Sequence, residues 1–130
     1  MTMSPDLESL YQRVSLAIHR SEMAAAIGNA SLAAQMHMDV SCLEEEIAAL
    51  VPANAGEGEI ARRGALSAAM AAGQYARVVE LASVYEGEPL ASAALRAQLH
   101  ELRDAGQLGL DAAVALSDAF EPAAKFRFAA

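Results

Sequence analysis

Glycine and proline cut this chain into segments of helical length, and between the cuts almost nothing favours a strand. The punctuation falls at Ser4-Pro5, Gly28-Asn29, Val51-Pro52, Gly73-Gln74, Gly87 to Pro89, Gly106 and Glu121-Pro122. Each is a helix start or stop signal: a capping serine before proline, a left-handed glycine, or a proline that cannot continue the helix. Alanine, the best helix former, fills much of the space between them, while Val, Thr and aromatic residues are sparse and Trp is absent. The expectation is an all-α protein of about six helices in three antiparallel hairpins, arranged as a solenoid or a compact bundle.

The helices are expected near residues 5–27, 31–51, 59–72, 75–86, 90–104 and 109–120. Ser4 caps the first, Pro5 takes its first position, and Asp6 complements the dipole. Leu7, Leu10, Tyr11, Val14 and Ile18 form its apolar stripe. The second, capped by Ser31, carries Leu32, Met36, Val40, Leu43, Ile47 and Leu50 in near-heptad register. Residues 1–51 therefore read as one long hairpin closed by that seam. Residues 52–58 read as a flexible loop, 59–122 as two shorter hairpins, and 123–130 as an aromatic tail. At 130 residues the whole is one domain, large enough to bury a core without disulfide or metal.

An internal repeat runs through the second half. Ala72-Gly73-Gln74 recurs as Ala105-Gly106-Gln107, and Glu88-Pro89 as Glu121-Pro122, each 33 residues on. A period near 33 with helix, glycine turn, helix and proline is typical of stacked helical hairpins. On Gly73, Tyr75 and Pro89 the segment resembles the second half of a tetratricopeptide repeat, although Val78 stands where a smaller residue is usual and the Trp of the first helix is absent. That resemblance implies a helical solenoid that binds another polypeptide.

Charge and composition exclude several functions. The net charge is −8 and the only lysine is Lys125, the wrong balance for tracking phosphates, so neither nucleic acid nor an anionic membrane surface is an expected partner. No apolar run approaches a membrane span, and Met1 to Leu10 shows no signal-peptide pattern. The single cysteine, Cys42, forbids an internal disulfide and fits a cytoplasmic location. It is expected to serve as a small residue beside a helix seam, since Glu44, Glu45 and Glu46 disfavour a thiolate nucleophile. His19, His37 and His100 lack metal-ligand spacing, and no phosphate loop or nucleophile elbow occurs. No enzyme, metal or cofactor is expected.

What remains is an interaction module, an adaptor or small chaperone-like protein whose partner is another polypeptide or a second copy forming a homodimer; the alternative is a structural homo-oligomer, or a subunit of a larger assembly, joined through the first hairpin. The candidate partner-binding residues are Arg62 and Arg63, which suit a carboxylate or the chain's own glutamates, Tyr75 in the repeat-like turn, and Phe126 and Phe128. The two Phe alternate with Lys125 and Arg127, so an extended tail turns both rings to one side. The tail is expected to cover an apolar face of its own chain or of a partner.

Overall fold

The computed structural model describes the backbone of residues 4–129 and the side chains of residues 4–119. Among them are helices and turns only: α1 (Pro5–Ala26), α2 (Ala30–Leu50), α3 (Gly56–Ala71), α4 (Tyr75–Glu86) and α5 (Ala93–Ala129). α1 packs on α2 and α2 on α3, while α3, α4 and α5 all touch one another. The alanine-lined α3 sits in the middle, with Ala61, Ala65, Ala68 and Ala69 buried. Their small side chains let helices approach closely on either side.

The ends of the first helices follow from their residues. Ser4 Oγ accepts the Leu7 N–H at 3.2 Å. At the far end, Gly28 takes a left-handed φ of 76°, its N–H donates to Ala25 O, and Asn29 N–H donates to Ala24 O. Asn29 then caps α2 by accepting the Leu32 N–H at 3.0 Å, a role expected of Ser31. One residue thus closes α1 and opens α2. Gly73 repeats the first half of this device, at φ 73° with Gln74 N–H on Ala69 O.

Other expectations are corrected as well. First, the described residues form five helices, not six, because the expected fifth and sixth are one continuous helix. Gly106 is not a turn: a Cβ there would lie 2.7 Å from Val78 Cγ1, and one at Gly109 would lie 2.6 Å from the Tyr75 ring. These glycines let α5 lie close against α4, so Gly73 and Gly106 do different work despite their matching contexts. Second, the 52–58 loop is shorter than expected. α3 begins at Gly56, and Gly58 is buried where a Cβ would strike the Pro52 carbonyl oxygen. Third, Pro89 lies in a turn, and α5 starts later, with Ser92 Oγ accepting the Leu95 N–H at 3.0 Å. Nor does α5 stop at Pro122: its backbone stays helical through Phe126 and Phe128 rather than becoming an extended tail. Residues 111–119 are exposed, so this part of α5 projects from the body.

The core is continuous through all five helices. Ile47, Leu66, Leu95, Leu99 and Val78 are its largest fully buried apolar side chains, the leucines and isoleucine each stabilising by about 1.5–3 kcal/mol. In the first hairpin, Leu10, Val14, Val40, Leu43 and Ile47 are buried as expected, but Ile18, Leu32 and Leu50 are exposed and Met36 only half-buried. The inner seam of α1 is instead Leu10, Val14, Ala17, Ser21 and Ala24, spaced alternately by four and three. The alanines and the serine bring α1 and α2 together, and the larger apolar residues are left outside.

Candidate functional site

The residues left outside form a second seam. On α1 it runs Ser9, Arg13, Leu16, Arg20, Met23, Ile27, again alternating four and three. On α2 it runs Leu32, Met36, Asp39, then Cys42, then Glu46 and Leu50. Three adjoining clefts of about 380, 490 and 390 Å³ follow these residues along the hairpin. Arg13 and Glu46 border both the first and the second; Arg20 and Met36 border both the second and the third. The third, at the hairpin tip, is walled by Met23, Ile27, Leu32 and Met36 under Arg20. Ile27 is 75% exposed, Met23 56% and Leu16 48%. Seven-residue spacing on two adjacent antiparallel helices gives an open groove of the shape that accepts further helices.

The charges of this face are distinctive. Arg62, Arg63, Arg77, Arg96 and Arg103 each hydrogen-bond within the chain. Among the arginines with described side chains, Arg13 and Arg20 alone make no such bond, and both lie on the rim of the groove. Facing them across it, Asp39 and Glu46 also make no ion pair among the described residues. The groove therefore has an α1 rim that carries two arginines, with Asp6 at its outer end, an acidic α2 rim and an apolar tip.

The expected site residues are dispersed. Arg62 is 4% exposed and is committed inside the fold, where it pairs with one of the chain's own glutamates, Glu88. It donates to Ala48 O, Val51 O and Gly58 O and forms two bonds of 2.8 Å with Glu88, while its guanidinium lies 5.5 Å from the Tyr85 ring centroid. The reason is position: the last carbonyls of α2 have no helical partners of their own, and Arg62 reaches them from α3. Arg63 is half-buried and donates to Gln98 Oε1 at 2.7 Å, joining α3 to α5. Tyr75 is half-buried against Gly109. The side chains of Phe126 and Phe128 lie outside the described residues.

The acidic run Glu44-Glu45-Glu46 is not one solvated face, because successive helical residues point about 100° apart. Glu44 is pressed against Gly64, where a Cβ would sit 3.1 Å from its Cδ, and burial pushes its carboxyl up to about 7. Glu45 accepts Arg77 Nη2 at 2.9 Å, beside buried Ser41, which itself donates to Ala65 O at 2.7 Å. Only Glu46 reaches the groove. Burial, reinforced by Glu45, pushes the Tyr85 hydroxyl up to about 12, and burial also raises Tyr11. His100 lies 3.1 Å from Glu86 and 3.6 Å from Asp104. Among the described residues no cluster of three His, Cys, Asp or Glu is placed to hold a metal, and no helix is long and apolar enough to cross a membrane.

Sequence reasoning passed over Arg13, Arg20, Asp39 and Glu46. Their signal was available: each pair is one heptad apart, with Leu16 and Met23 in the same register. No family model matches the chain, and no curated protein or solved structure matches it either.

Proposed function

We propose that this chain is a non-enzymatic protein–protein interaction module, an adaptor or small chaperone-like helical-hairpin protein, that docks its partner along the outer face of α1 and α2. The observation that carries the reading is the second four-three seam on α1, an open apolar groove bordered by the arginines that have no partner among the described residues. Leaving Met23, Ile27 and Leu16 in water forgoes about 25 cal/mol for each Å² of apolar surface, a cost that a docked helix removes. The resemblance to tetratricopeptide proteins at Gly73, Tyr75 and Pro89 supports the same class of function. So does the row-like packing of α1 on α2 and α2 on α3. The lone cysteine fits a cytoplasmic setting.

The test is a photo-crosslinking amino acid placed at Leu16 in cells that make the protein, with the same group at Val84, exposed on α4, as control. The reading expects a protein adduct, to this chain or another, from Leu16 and not from Val84. Adducts from neither position, or equally from both, would contradict it.

A further inference from the structure

We infer that the occupant of the outer groove is a second copy of this chain, related by a two-fold axis parallel to α1 and α2, so that two hairpins close into a four-helix bundle. The inference rests on the docking role proposed above and names its partner.

The reasoning starts from levels along the hairpin. Arg13 and Glu46 line the same clefts and so lie at one level. Arg20 shares a cleft with Met36 and Asp39, and Met23 and Ile27 share one with Leu32 and Met36. A closed dimer must bring the face onto itself through a two-fold axis. Two orientations are open to a pair of antiparallel helices packed face to face. With the axis across the hairpin, α1 lies on α1 of the copy, and Arg13 and Arg20 meet the same arginines. With the axis along the hairpin, α1 lies on α2 of the copy at the same level. Arg13 then meets Glu46, Arg20 meets Asp39, and Met23 and Ile27 meet Leu32 and Met36. The second arrangement satisfies both charged rims and buries the apolar tip, and the first repels. The groove is thus complementary to itself, with charges that select one orientation. The seven-residue spacing of both charged rims, Arg13 to Arg20 and Asp39 to Glu46, is what helix-on-helix packing at a shallow angle requires.

The test uses the intact chain and two variants. R13E/R20E makes both rims acidic, and D39R/E46R makes both basic; all four side chains are exposed, and thermal melts by circular dichroism verify that each variant folds. Sedimentation equilibrium of the unaltered chain is expected to show twice the 13.6 kDa protomer mass. Each variant alone should associate at least about tenfold more weakly, and an equimolar mixture should recover the dimer, because only then does each basic rim face an acidic one. A single-protomer mass for the unaltered chain up to about 100 µM, where even the roughly micromolar affinity of a modest interface would be saturated, overturns the inference. A dimer indifferent to both variants, or variants that do not recover on mixing, overturns it as well. These failures are distinct from failure of the docking role itself: a monomer whose Leu16 still crosslinks to a different protein keeps the role and loses this partner.

Discussion

Arg62 and Glu88 form a two-pronged ion pair, Nε to Oε1 and Nη2 to Oε2 both at 2.8 Å, across the junction of α3 with the turn after α4. The same guanidinium holds the last carbonyls of α2, so one side chain ties the first hairpin to the second half of the molecule. Removing Glu88 costs more than the pair contributes, because the buried Arg62 guanidinium is left without its carboxylate, and removing Arg62 also leaves the Ala48, Val51 and Gly58 carbonyls without their donor. Glu88→Ala should therefore destabilise by roughly 2–4 kcal/mol and Arg62→Ala by about 3–5 kcal/mol, measured by urea unfolding. Arg62→Lys should not rescue, since an ammonium cannot fork onto the carboxylate and reach the carbonyls together. A loss under about 0.5 kcal/mol for either alanine variant would show that the clasp is incidental.

Gly106 offers a test whose sign is informative. In an unencumbered helix, glycine to alanine stabilises by about 1 kcal/mol. Here the new methyl would meet Val78 at 2.7 Å, so Gly106→Ala should instead destabilise by roughly 1–3 kcal/mol. Thermal unfolding decides between them, and a raised melting temperature would show that α5 does not lie against α4 at this point.

Glu44 predicts an unusual pH dependence. Its carboxyl is raised to about 7 in the folded protein, from 4.5 when unfolded, chiefly by burial against α3. Between these values the folded chain holds a proton that the unfolded chain has released, so this group's contribution falls as pH rises from 4.5 and is fully lost above about 7. Glu44→Gln keeps the neutral form at every pH. It should stabilise the protein by roughly 1–3 kcal/mol at pH 8 and change little at pH 4. Denaturant titrations at the two pH values measure the difference; an equal effect at both would rule out ionisation of Glu44 as the cause.

The helix ends at Ser4-Pro5, Gly28 and Gly73 were legible because their signals are local. Ser4 before Pro5, and a left-handed glycine at Gly28 and again at Gly73, act within one turn of chain. Gly106 misled because a glycine needed for close approach looks, in sequence, like one needed for a turn. The burial of Arg62 depends on carbonyls of α2 and a carboxylate 26 residues away converging on it, which no local pattern announces. The outer groove was obscured by the assumption that the larger apolar residues mark the core. In α1 the inner seam is finished by Ala17, Ser21 and Ala24, and Leu16, Met23 and Ile27 are freed for the other side.

Cys42 gives the most direct measure of whether that other side is used. It is the only cysteine, it is exposed, and it lines the central cleft between the two charged rims, so its reaction with a small alkylating reagent reports coverage of the groove by any occupant. The rate should be fast for the dilute purified chain. For the protein at its native concentration in fresh lysate it should be slower by about tenfold or more, the factor left when roughly nine-tenths of the grooves are filled. Equal rates in the two settings would mean that the outer face of the first hairpin stays open to water, and would contradict its role as a docking surface.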